Sequence, residues 1–131
     1  MKHFLLLYDI YKDKEGQKAS VFAEYLKKYE VLSDLDSIDD ELLDRYKVSD
    51  MKDSVNEIDD DRVYDKYSLI IVFGGDGSFL RAAKLAYYLN TPILGVNLGR
   101  LGFMLTQDFD ECLHNIESIA ALKLIYEDRS V

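Results

Sequence analysis

One cysteine, one proline and two histidines stand among 131 residues, and each scarcity removes a class of protein. Cys112 alone closes no internal disulfide, which leaves the fold without that staple and suits a reducing, cytoplasmic setting. His3 and His114 are far apart, with no Cys or Asp companion at ligand spacing, so no zinc-type site is expected. No apolar run approaches the ~18–20 residues of a membrane span. The N-terminus turns acidic at Asp9 without a small-residue cleavage site, and residues 3–10 read as a first buried strand and not a signal peptide. Basic surplus is also missing. The net charge is −9, with no basic stripe, so neither nucleic acid nor a membrane is expected as partner. The acid excess is local: residues 34–65 hold 13 of the 25 acids and 4 of the 16 bases. That stretch reads as a solvated, partly irregular connection.

Two familiar nucleotide-binding patterns are absent as well. The turn over residues 11–17 carries a single glycine, Gly16, so the G-x-G-x-x-G of dinucleotide-binding folds fails after the first strand. The G-x-x-x-x-G-K-[ST] pattern fails because no lysine directly follows the later glycines. Glycine is nonetheless concentrated, with six of seven falling between Gly74 and Gly102. Five of these lie in two loops, each leaving an apolar run: Gly74-Gly75-Asp76-Gly77-Ser78 after residues 68–73, and Leu98-Gly99-Arg100-Leu101-Gly102-Phe103 after residues 92–97.

Apolar periodicity places these loops in an alternating pattern. Residues 18–29 form an amphipathic helix with Val21, Phe22, Tyr25, Leu26 and Tyr29 on its apolar side. Ser37 suits an N-cap, with Asp39, Asp40 and Glu41 in the first turn and Leu42, Leu43 and Tyr46 inward. Residues 47–66 lose periodicity and read as loop. Residues 68–73 are the strongest strand, and 78–89 a helix with Phe79, Leu80, Ala83 and Tyr87 inward. Residues 92–97 form another central strand, its proline placed where no ladder donor is lost. Asp108 caps a last helix in a capping-box pattern with Glu111, with Phe109, Leu113, Ile116 and Ala120 facing the core. Residues 122–126 begin a further strand. Strands alternating with helices define an α/β class: a doubly wound, Rossmann-like parallel sheet in three layers. Ligands then bind beyond the carboxyl ends of the strands, where both glycine loops lie.

Glycine admits backbone close to a ligand and adopts positive φ, and the helix starting near Ser78 directs its positive end at the first loop. A carboxylate there repels phosphate unless it has a role. Asp76 could hold Mg²⁺ through water, orient a substrate hydroxyl or accept its proton; it could equally cap the helix. Arg81, one turn on, is placed to neutralise phosphate. Cys112, lacking a His or Asn partner, reads as a small buried residue.

The pentapeptide Gly74–Ser78 resembles the signature shared by NAD kinases, diacylglycerol and sphingosine kinases, and 6-phosphofructokinases. The second segment, Asn97-Leu98-Gly99-Arg100-Leu101-Gly102-Phe103, resembles the N-x-G-x-x-G-F element of NAD kinases. The resemblance is strongest over residues 66–107. It implies ATP- or polyphosphate-dependent phosphorylation of the adenosine ribose 2′-hydroxyl of NAD, with Mg²⁺, giving NADP. It also implies that Asp76 accepts the proton and touches NAD with Gly77, and that Phe103 lies near the adenine. Gly74, Gly75, Ser78, Arg81, Asn97, Gly99 and Gly102 complete the implied binding set, with no direct metal ligand assigned. Ser78 and Met104 depart mildly from the family's commoner residues. Residues 1–131 would form the N-terminal domain, its β-rich companion and a homo-oligomeric assembly belonging to a longer parent. The alternatives are a lipid-kinase fragment and a non-catalytic module of the same fold.

Overall fold

A computed structural model describes residues 1–53, 66–99, 105 and 107–123, with side chains from 48 to 53 left aside. Four strands, β1 (Lys2–Tyr8), β2 (Val31–Ser37), β3 (Leu69–Gly74) and β4 (Ile93–Asn97), form one all-parallel sheet in the order β2-β1-β3-β4. Among the described residues the α-helices are α1 (Gln17–Lys27), α2 (Leu42–Asp53), α3 (Asp76–Leu89), α4 (Phe109–His114) and α5 (Ile116–Ala120). The α/β class read from the sequence is what the chain adopts.

β1 and β3 are apolar on both faces because both faces are covered. Phe4, Leu6, Leu69, Ile71 and Phe73 pack with Ala19, Phe22 and Leu26 of α1 and with Cys112, Ile116 and Ile119 of α4 and α5. Leu5, Leu7, Ile70 and Val72 face the opposite way, onto Leu42 of α2 and Ala82, Leu85, Ala86 and Leu89 of α3. Each fully buried leucine of this kind contributes about 1.5–3 kcal/mol.

Several expectations are corrected. Residues 31–37 are a strand, β2, paired along its length with β1 (Leu6 opposite Leu35), and Ser37 is its last residue, not an N-cap. The capping role passes to Asp39, whose carboxylate accepts from the Glu41 N–H at 2.9 Å. Helix α2 runs into the stretch read as loop. The acidic segment is also tied down: Arg45 donates to Asp39 at 2.9 Å and to Asp36 at 3.1 Å. On α1 the buried line is Ala19, Phe22 and Leu26, while Val21, Tyr25 and Tyr29 are exposed. On α3 it is Ala82, Leu85, Ala86 and Leu89, whereas Leu80 and Tyr87 face outward, Tyr87 at 89% exposure. Two alanines let α3 approach the sheet closely, so small side chains define the buried stripe where large ones were expected to. β4 is an outer strand among the described residues. Helix α3 ends at Asn90, which takes the left-handed conformation (φ 55°), and Pro92 follows. Asp108 caps α4 by accepting from the Glu111 N–H at 2.8 Å. Most of the further strand expected at 122–126 lies outside the described residues. Among the described residues no helix is long and apolar enough to cross a membrane.

At the β2 edge, Asp34 accepts from the Tyr67 hydroxyl at 2.7 Å and lies 3.1 Å from His3 Nε2. Burial alone would raise the Asp34 carboxyl, but hydrogen bonds from Tyr67 and His3, with the charges of His3 and Lys66, hold it below its ordinary value. A carboxyl depressed in the fold contributes stability above its unfolded pKa of about 3.9 and loses it as pH falls through the folded value. Tyr67→Phe is therefore expected to cost about 1 kcal/mol near pH 6, discounted for the partial exposure of Asp34, with the deficit shrinking below pH ~4. Urea unfolding of both proteins at pH 6 and pH 3 checks this; an equal deficit at the two pH values contradicts it.

Candidate functional site

The chain lays β2 beside one edge of β1, then crosses to place β3 beside the other. This reversal puts the switch point, the usual place for ligands in open α/β sheets, beyond the carboxyl ends of β1 and β3. The turn after β1 therefore faces the first glycine turn.

Asp9 builds the β1 side. Its N–H donates to the Phe73 carbonyl at 3.0 Å, its carbonyl accepts from Lys12 N–H at 3.1 Å and Asp13 N–H at 2.8 Å, and its Oδ1 accepts from Tyr11 N–H at 2.8 Å. The Asp13 carboxylate is buried and accepts from the Lys18 and Ala19 N–H groups at 2.8 and 3.0 Å, at the start of α1. The helix end and two backbone donors satisfy that charge. Between these anchored aspartates Lys12 protrudes, exposed.

The β3 side is the first glycine turn. Gly75 is the N-cap of α3, in extended conformation and with no side-chain cap, and Asp76 is the first helical residue, half-buried. The capping role open to Asp76 in the sequence thus falls to Gly75. The first intrahelical bond runs from Phe79 N–H to Gly75 carbonyl at 2.9 Å, so the N–H groups of the first turn point out of the helix end toward the switch point. Ser78 is buried, and its Oγ donates to Asp9 Oδ2 at 2.7 Å, joining the two turns.

The second glycine turn hangs on Asn97, also buried. Its Oδ1 accepts from Gly99 N–H at 2.8 Å and its Nδ2 donates to the Leu105 carbonyl at 3.3 Å, while Leu98 N–H donates to the Gly74 carbonyl at 3.0 Å. Asn97 shapes this turn and locks it to the first. Gly102 and Phe103 lie outside the described residues. Arg81 sits beside Asp40, with Nη2 to Oδ1 at 3.3 Å, on the exposed side of α3.

The described glycines of the two turns need no unusual torsion, and only Gly74 and Gly99 of them would be crowded by a Cβ. Among the described glycines only Gly16 has positive φ, at 67°. A Cβ on Gly74 would meet Ser78 Oγ at 2.8 Å. One on Gly75 would lie 3.5 Å from Lys12 Nζ, and one on Gly99 3.1 Å from the same atom. One on Gly77 would meet nothing within 4 Å. Sequence reasoning missed Asp9 and Lys12. The signal was a polar cluster directly after a doubly buried strand, and its meaning depended on seeing that β1 neighbours β3.

Other chemistry among the described residues is sparse. No three His, Cys, Asp or Glu side chains converge on a metal position. Burial, with the charges of Glu111 and Asp108, pushes the Cys112 thiol up to about 12, so it stays a protonated packing group. An open groove of about 540 Å³, lined by Met1, Lys2, Tyr29, Glu30 and Ser68, lies toward the amino ends of the strands, away from both glycine turns.

The fold is an open parallel α/β domain whose switch point falls between β1 and β3. Residues 9–124 match the ATP-NAD kinase N-terminal domain, and the chain belongs to that family. A protein named NAD kinase from Agathobacter rectalis is 28% identical over 134 residues, covering 98% of this chain and 42% of its own length. One of the same name from Mycobacterium tuberculosis is 43% identical over 70 residues, covering 53% of this chain and 23% of its own length. A third, from Legionella pneumophila strain Paris, is 53% identical over 51 residues, covering 37% and 17%. The near-complete match to the Agathobacter protein shows that the chain spans less than half of that relative's length.

Proposed function

We propose that this domain forms the nucleotide-binding and catalytic part of an NAD kinase, which transfers the γ-phosphoryl group of ATP or polyphosphate to the ribose 2′-hydroxyl of NAD. Asp76, at the start of α3, accepts the hydroxyl proton as the 2′-oxygen bonds to the γ-phosphorus. The bond to the bridging oxygen breaks, and its electron pair leaves with ADP or, from polyphosphate, with the chain shortened by one phosphate. First-turn N–H groups and the helix end steady the charge on the transferred group. Mg²⁺ neutralises phosphate oxygens when bound, and with no protein cage among the described residues it would be held by the phosphates and, through water, by Asp76. Since the match covers 42% of the Agathobacter relative, the proposal gives this chain the glycine turns and Asp76, not the whole surroundings of NAD. The parent is read as a cytoplasmic homo-oligomer with a β-rich companion domain.

Gly77 is the observation that carries this reading. Its φ is ordinary, it is exposed, and a Cβ there would touch nothing. Neither torsion nor packing requires glycine at a helical position, where alanine is favoured by up to about 1 kcal/mol. Close approach of a ligand does require it. Gly77→Ala is accordingly expected to leave the melting temperature unchanged or slightly raised while weakening NAD or ATP binding by about tenfold, read by calorimetric titration. Unchanged affinity for both nucleotides would reduce Gly77 to a turn residue and remove the main support.

A further inference from the structure

Among the described residues, a cation that the fold brings to both glycine turns is Lys12, a residue from neither motif. A single ammonium lies 3.5 Å from the Cβ position of Gly75 and 3.1 Å from that of Gly99, with Cε 3.4 Å from the first. A Cβ on Gly75 would rest against the lysine side chain in ordinary contact, and one on Gly99 would crowd the ammonium. Its backbone is held by the bond from its N–H to the Asp9 carbonyl at 3.1 Å, and Asp9 is itself fixed to Phe73 and Ser78. The buried, doubly hydrogen-bonded Asp13 holds the next residue. Among the described residues Lys12 forms no ion pair, in a chain whose net charge is −9. The side chain thus projects a positive charge from a rigid base across the gap between two turns, beside the positive end of the fourteen-residue α3.

We infer that Lys12 clamps an oligophosphate bridging the Gly75 and Gly99 turns, closing the site from the β1 side. A lysine ammonium suits this position because it is a compact point charge with three rotatable donors, able to follow phosphate oxygens as the transferred group moves. Arg81, paired with Asp40 on the exposed side of α3, is not the cation that the turns share. The inference rests on the kinase reading, and the oligophosphate can come from the donor chain or from the diphosphate of NAD.

The test titrates the 131-residue chain and its Lys12→Met and Lys12→Arg variants with inorganic tripolyphosphate, ATP, NAD and adenosine, by calorimetry. Because Lys12 is exposed, both variants are expected to melt with the parent. Lys12→Met should weaken tripolyphosphate and at least one nucleotide by about tenfold and leave adenosine unchanged, while Lys12→Arg restores much of the loss. Loss confined to ATP and tripolyphosphate assigns the clamp to the donor, and loss shared by NAD extends it to the acceptor. Unchanged affinities in Lys12→Met, or an equal loss for adenosine, would overturn the clamp and leave the kinase reading standing. So would a parent chain that binds NAD but no tripolyphosphate. A parent chain that binds neither ATP nor NAD would remove the kinase reading itself, and the clamp with it.

Discussion

Asp76→Asn is expected to lower NADP formation by about 10²–10⁴-fold while ATP and NAD still bind, because asparagine keeps the shape and loses the proton acceptor. The assay joins this chain to the remaining length of the Agathobacter relative, whose match covers 98% of it. Loss of a first-turn carboxylate charge from α3 removes about 0.3–1 kcal/mol of helix-dipole interaction, and a melting curve of the variant checks that it stays folded. Proton acceptance and metal holding separate kinetically. If Asp76 acts chiefly through Mg²⁺, excess metal restores part of the rate; if it acts as the base, excess metal does not. A rate within threefold of the parent would show that the carboxylate is not part of the chemistry.

Phe73→Ala carries the largest stability effect. Phe73 is fully buried, its ring 5.5 Å from Phe22 and 6.5 Å from Phe109. Removing it takes the centre from an aromatic trio joining β3, α1 and α4. Such a truncation costs about 3–5 kcal/mol, a third or more of a typical domain's stability, and lowers the melting temperature by on the order of 10 °C. Phe73 also immediately precedes Gly74, and its carbonyl holds the Asp9 N–H. Nucleotide affinity should therefore fall as well. Leu89→Ala, in the opposite core layer and at the far end of α3, should lose stability without that second effect. Equal loss of binding in both variants would trace the fall to global loosening and not to the strand end.

The fold was legible where the physics is strong and local. The continuous apolar runs of β1 and β3 announce strands covered on both faces, and the Asp108–Glu111 cap declares a helix start. What escaped lies where neighbours decide. β2 reads Val-Leu-Ser-Asp-Leu-Asp-Ser, with burial on neither a clean alternation nor a run. Its register comes from β1, and its acids are stabilised by Tyr67 and Arg45, partners 33 and 9 residues from the carboxylates they contact. The faces of α1 and α3 were misjudged because the sheet selects Ala19, Ala82 and Ala86 for close approach, and alanine carries little weight in an apolar count. The glycine turns and Asp76 were visible as a motif. Lys12 was not: without β2, nothing in the sequence says that the loop after β1 must meet the loop after β3.

The Ser78–Asp9 hydrogen bond spans 69 residues of chain, and β1 and β3 pair across a comparable separation. The junction of the two turns is consequently a product of late assembly: a nascent chain that has synthesised β1, α1 and β2 can pair two strands but has not yet formed it. Long-range closure of this kind slows folding, because the entropy of ordering the intervening loop is lost before the contact forms. A nucleotide that binds between the turns can therefore act only on the finished domain, slowing its unfolding without guiding its folding.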